Sequence, residues 1–219
     1  MILGENEQLS HEWKKEKYGL IGGTSLSDLM TSKPVKETAL YHQLLSARCE
    51  EFFDDHSFTS NDMQRGIDLE PDAVKEAEEY LKKEFLNFGW CTNKNYPLNG
   101  CSPDGFTEDL KEGIEVKCPK ASTHTSYIIK DEIPKEYFWQ VINYFLVNEQ
   151  LEKLHFTSYR PENTVKPLWV KTVGRFDKLP FKIGRKAEIA TVQEWVVYAQ
   201  ERSNEMYKAL KEGLEQIKF

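Results

Sequence analysis

Ser102-Pro103-Asp104-Gly105-Phe106-Thr107-Glu108-Asp109-Leu110-Lys111-Glu112-Gly113-Ile114-Glu115-Val116-Lys117-Cys118 reads as two strands joined by a polar hairpin. Residues 102–104 end the first strand, 105–113 make the turn and 114–118 form the second. Successive side chains of a strand point to opposite faces. Glu115 and Lys117 therefore share one face, and Ile114, Val116 and Cys118 point into the core. Antiparallel pairing sets Asp104 beside Glu115. Two carboxylates and one ammonium then project together from an otherwise apolar ribbon.

That grouping suits metal-assisted hydrolysis. Hard cations such as Mg²⁺ or Mn²⁺ take carboxylate and carbonyl oxygens. Asp104 and Glu115 offer the first kind and the Val116 backbone carbonyl the second. A metal held there lowers the pKa of a bound water and neutralises charge on a phosphate. Lys117 orients or deprotonates that water and screens the transition state. The plainer reading of the same residues is a surface hairpin with an exposed Glu–Lys pair.

Pro103-Asp104 followed by Glu115-Val116-Lys117 resembles the PD-(D/E)xK nuclease motif. The longer pattern, Ser102-Pro103-Asp104-Gly105 and then Glu115-Val116-Lys117-Cys118-Pro119, resembles the lambda-exonuclease (YqaJ-type viral recombinase) family. The resemblance implies an α/β restriction-endonuclease-like core, a mixed central sheet flanked by helices. It extends over about residues 17–160, within one nuclease domain spanning 1–219. The strands and helix of 161–219 match no family motif.

Supporting motifs follow in family order. Tyr18-Gly19-Leu20-Ile21-Gly22-Gly23-Thr24-Ser25 reads as a turn into a helix N-terminus, either plain capping or free N–H groups offered to an anion. By resemblance, Thr24 or Ser25 and the preceding Lys17 contact the 5′-phosphate of the substrate. A lysine there is a point charge, where the lambda enzyme has the fork of an arginine. Gly66, Glu70 and Ala73 match a G-x-x-x-E-x-x-A pattern, whose glutamate lies at the metal site in the family. Pro71 is expected in the first turn of a helix running to about 85, with Glu70 at its mouth. Asp68 is the alternative if Glu70 only caps. Gln140-Val141-Ile142-Asn143-Tyr144 matches the family's Q-V-x-x-Y, with Gln140 near the catalytic lysine and the nucleophilic water.

Composition sets the wider limits. The 219 residues are enough for one domain with a good core. A mean hydropathy of −0.63, with no span-length apolar run and no leader-like segment, leads to the expectation of a cytoplasmic protein without membrane contact. The net charge of −7 argues against a protein that simply coats DNA. Cys49, Cys91, Cys101 and Cys118 form no CxxC pair, so zinc-ribbon spacing is absent. No cysteine follows Cys118, so an iron–sulfur cluster is not expected.

Elsewhere the pattern predicts an amphipathic helix over 35–53 and a strand-and-turn region over 86–101. It predicts a hydroxyl-rich loop over 120–133, open to phosphate or merely solvated, and a helix over 134–148. Strands follow at 154–159 and 168–173. A long helix from Thr191 to Ile217 opens on a capping box, with an apolar stripe that includes Ile189 and packs on the body or a neighbouring subunit. His42 and His56 read as surface residues and His155 as a packed strand residue.

The implied activity is a divalent-metal-dependent exonuclease of phage-type recombination. It digests one strand of linear duplex DNA from the 5′ end, with two ions per site. The resemblance also implies a homo-trimeric ring and a single-strand annealing partner. The alternatives are an endonuclease or repair nuclease of the same fold, and a catalytically silent DNA-binding scaffold.

Overall fold

The computed structural model describes residues 1–52, 60–183 and 186–218. Along the chain run α1 (His11–Lys17), α2 (Gly23–Leu29), α3 (Ala39–Ser46) and α4 (Asn61–Leu81). Then come β1 (Cys91–Thr92), β2 (Gly100–Cys101), β3 (Gly105–Phe106), β4 (Glu112–Lys117), α5 (Ala121–Lys130) and α6 (Phe138–Val147). β5 (Lys153–Tyr159), β6 (Leu168–Gly174), β7 (Lys178–Ile183), β8 (Lys186–Thr191) and α7 (Val192–Ile217) complete the fold.

The central sheet has the order β3-β4-β5-β6. β3 is antiparallel to β4, β4 parallel to β5, and β5 antiparallel to β6. α5 and α6 make the crossover that two parallel neighbours require. Ile114 and Val116 pack with Ala73, Ala77, Phe85 and Tyr159, so α4 covers one face of the sheet. α6 covers the other. Its residues Phe138, Trp139 and Val141–Val147 are all buried, between the sheet, α2 and α7. The fold is the restriction-endonuclease-like PD-(D/E)xK arrangement, a mixed sheet between helices with a long C-terminal helix.

Several local expectations change. The motif hairpin forms, but its first strand is Gly105–Phe106 and not 102–104. Pro103 has no N–H to pair, and Asp104 meets β4 through its side chain, so the backbone ladder stops at Gly105↔Ile114. Gly105 is required there, because a Cβ would lie 2.6 Å from Phe85 Cβ. β1 and β2 pair with each other outside the central sheet, with Thr92 also bridged to Ile2. The helix expected over 35–53 is a 3-10 turn, Val35–Glu37, followed by α3. Thr38 caps α3 by accepting the Tyr41 N–H at 3.2 Å. Residue 53 and His56 lie outside the described residues, and His42 is exposed.

α4 starts at Asn61, with Ser60 accepting the Met63 N–H, so Pro71 sits inside the helix and not in its first turn. The hydroxyl-rich 120–133 segment is mostly helix α5. His124 and Tyr127 are buried on one side, and the small polar residues face outward. α6 begins at Phe138, after a 3-10 turn over Lys135–Tyr137. The β7–β8 hairpin had no counterpart in the sequence reading. Ile189 lies on β8 and is 72% exposed, outside the α7 stripe. From Val192 and Trp195 to Met206 and Leu210 the stripe is buried against this chain's own α3 and α6, whereas Ile217 at its end is 58% exposed. The capping box at Thr191 and Glu194 forms as expected.

Candidate active site

The short β3 exposes the chemistry. Beyond Gly105 the edge of β4 has no strand partner among the described residues, and Asp104 fills the gap. Its Oδ2 accepts the Val116 N–H at 2.5 Å. The N–H and C=O of one strand residue leave on the same side, so the Val116 carbonyl also points towards Asp104.

Glu115 and Lys117 share the face of β4 turned to α6, and Glu115 is 2% exposed. Its Oε1 accepts from Lys117 Nζ and from Gln140 Nε2, the latter at 2.8 Å. Its Oε2 accepts from the Tyr144 hydroxyl, which also lies 3.1 Å from the Ser102 carbonyl. Gln140 and Tyr144 stand one helical turn apart on α6 and reach the same carboxylate. A carboxylate has about four acceptor positions, and three are occupied.

Glu70 enters from α4. Burial and the charge of Glu115 raise its carboxyl above the usual range, with Lys117 opposing. Burial and Glu115 raise Asp104 well above its usual value, against Lys117 and the Val116 N–H. Burial pulls the Lys117 ammonium down, but Glu115 and Asp104 outweigh it and hold the group protonated beyond the ordinary lysine range. Burial pushes the neighbouring Cys118 thiol up to about 11. Asp68 is exposed and bonded to Gln64 at 2.8 Å, so Glu70 is the carboxylate that α4 turns to the centre.

Three carboxylates around one ammonium leave an excess of negative charge that raises two of the acids. That donor set, with the Val116 carbonyl, fits a hard divalent cation. Among the described residues no three His, Cys, Asp or Glu side chains close into a ready metal-binding group. At Glu115 the contacts are made to Lys117, Gln140 and Tyr144. The four cysteines are free thiols.

The residues expected at a 5′-phosphate lie on the next wall. The α2 N-terminus abuts α6 so closely that a Cβ on Gly23 would lie 2.6 Å from Gln140 Cγ. Ser25 Oγ accepts the Gly22 N–H at 2.9 Å and caps its own helix, whereas Thr24 is exposed. Lys17 Nζ lies 3.8 Å over the Trp13 ring, and burial and Lys14 lower its pKa. Trp13 Nε1 in turn donates to Ser102 Oγ at 2.8 Å, and Gln8 donates to the Pro103 carbonyl at 2.9 Å. The motif loop is thus held from both sides.

Sequence reasoning missed Tyr144 and Trp13 as parts of this frame. Tyr144 stands in the quoted Q-V-x-x-Y segment, where only Gln140 is given a role. Nothing in the sequence pointed from Trp13 to Ser102. His155 is packed as expected, between Glu112 at 2.7 Å and Thr172 at 2.8 Å. A cavity of about 530 Å³ opens between α6 and β7, lined by Ile133, Phe138 and Phe181, and holds none of the motif residues.

Fold and motif together define a protein of the PD-(D/E)xK class. Residues 12–151 match the YqaJ-like viral recombinase domain, and the chain belongs to that family. Its fold is similar to two crystal structures of LHK-Exo, an alkaline exonuclease from Laribacter hongkongensis, one of them in complex with dAMP. The TM-scores are 0.76 for the dAMP complex and 0.74 for the other, at 20% identity over 95% of this chain and 96% of that one. It is also similar to a phage-related exonuclease from Haemophilus somnus 129PT, with a TM-score of 0.58 at 13% identity over 90% and 96% of the two chains. No curated protein matches the sequence. No helix among the described residues is long and apolar enough to cross a membrane.

Proposed function

We propose that the chain is one nuclease domain over 1–219 that hydrolyses linear duplex DNA from the 5′ end in phage-type recombination. One observation carries this reading. Asp104, Glu115, Glu70 and Lys117 gather at the open edge of β4, in a chain that belongs to a viral recombinase family. The neighbours named as exonucleases support the choice of reaction.

Asp104, Glu115, Glu70 and the Val116 carbonyl would hold Mg²⁺ or Mn²⁺, which when bound supplies a lowered water pKa and charge neutralisation. Lys117 orients or deprotonates the attacking water and screens the phosphate. Gln140 and Tyr144 hold the Glu115 carboxylate in place. Thr24, at the mouth of α2, and Lys17 take the terminal 5′-phosphate, while Ser25 shapes the turn.

The two-ion site, the 5′-to-3′ direction, the trimeric ring and the annealing partner rest on family likeness. The test is digestion of 5′-phosphorylated linear duplex beside a closed circle, with Mg²⁺ or EDTA. Loss of the linear 5′ strand alone is expected. Cutting of the circle would favour an endonuclease.

A further inference from the structure

Tyr137 stands beside the Glu115–Lys117 pair. It ends the 3-10 turn before α6, three residues ahead of Gln140. Its half-buried ring lies on Phe156, with centroids 5.3 Å apart and planes tilted by 38°. Phe156 is the register partner of Glu115 across β4 and β5. Register partners on adjacent strands share a face of the sheet. The ring therefore stands on the face that carries Glu115 and Lys117. Lys117 Nζ is 5.0 Å from its centroid, within the ~6 Å reach of a cation–π contact. Tyr127 buttresses the arrangement, with its ring 6.4 Å from Phe156 and its hydroxyl 3.0 Å from Glu136.

We propose that Tyr137 is a positioning residue for the nuclease reaction, whose ring face, together with the Glu115 carboxylate, confines the Lys117 ammonium; this rests on the function proposed above. A lysine carries its charge at the end of a flexible four-carbon stem. Glu115 fixes the ammonium from one contact and leaves it free to pivot about that contact. The ring supplies the second contact and removes the pivot. What is needed is the aromatic face and not the phenol hydroxyl.

The experiment compares the wild type with Tyr137→Phe and Tyr137→Leu. Steady-state cleavage of linear duplex DNA is measured, together with the ¹H shift of the Lys117 ε-methylene. That resonance is assigned with Lys117→Arg. Tyr137→Leu is expected to lower kcat about ten-fold with KM within two-fold, as loss of a partly desolvated cation–π contact implies. It is also expected to abolish the upfield ring-current shift of the methylene. Tyr137→Phe is expected to keep both near wild type.

A leucine variant with wild-type kcat and shift would overturn the proposal. So would a phenylalanine variant as impaired as leucine, which would assign the effect to the hydroxyl. Wild-type protein with the ring-current shift but no cleavage would instead overturn the nuclease reading, and the positioning role with it, while leaving the ring–ammonium contact in place.

Discussion

Gln140 Nε2 donates to Glu115 Oε1 at 2.8 Å, and this bond ties the buried helix α6 to the motif strand. A hydrogen bond to a charged group contributes about 1.5–3 kcal/mol. Gln140→Ala is expected to lower kcat on linear DNA roughly 10- to 100-fold, since ~1.4 kcal/mol corresponds to a factor of ten. Half-buried Gln140 is not a core residue, so the variant should keep its circular dichroism spectrum. Unchanged kcat would remove Gln140 from the site.

The raised carboxyls predict how pH and cations act on stability. Asp104 and Glu70 both have folded pKa values above their unfolded ones. Above the unfolded carboxylate range the unfolded chain releases these protons first, so the cation-free fold loses stability as pH rises towards the folded values. A divalent cation reverses the cause. Ca²⁺, Mg²⁺ or Mn²⁺ should therefore raise Tm, and by more at pH 8 than at pH 5. Differential scanning fluorimetry over that range checks it. Equal shifts at both pH values would contradict the assignment.

Thr24 and Ser25 should separate cleanly. Ser25 Oγ is engaged with Gly22, whereas Thr24 is exposed. Thr24→Ala is expected to erase the preference for 5′-phosphorylated over 5′-hydroxyl ends while leaving Tm unchanged. Ser25→Ala is expected to lower Tm through loss of the cap, worth ~1 kcal/mol. The reverse pattern would place the phosphate contact on Ser25.

Gly105→Ala tests the packing behind Asp104. The new Cβ would meet Phe85 Cβ at 2.6 Å, an overpacking cost of about 1–3 kcal/mol. Reduced stability should come with reduced activity, because Asp104 is the next residue. Thr191→Ala is the control. Loss of the α7 capping box should cost ~1 kcal/mol and leave activity per folded molecule unchanged.

The site was legible where chemistry and strand period coincide. Period two put Glu115 and Lys117 on one face, as found, while Asp104 lies beyond the paired residues and reaches β4 through its side chain. The helix carrying Gln140 followed from its apolar spacing. The errors have physical causes. Ser122, Thr123 and Ser126 suggested a loop, yet burial of His124 and Tyr127 on one side holds α5 as a helix. Pro71 suggested a helix start, yet the Ser60 cap begins α4 a full ten residues earlier. That shift places Glu70 mid-helix, away from any N-terminal dipole, and weakens the reading of it as a mere cap. Trp13 and Ser102 meet across 89 residues, a contact that no local pattern encodes.

The most direct test of the account is Lys117→Ala against wild type, on 5′-phosphorylated linear duplex DNA with Mg²⁺, alongside Ca²⁺-induced thermal shifts. The account predicts Mg²⁺-dependent loss of DNA by the wild type and none by the variant, with a cation-induced Tm increase in both. Undiminished cleavage by Lys117→Ala, or a wild type indifferent to every divalent cation, would contradict it.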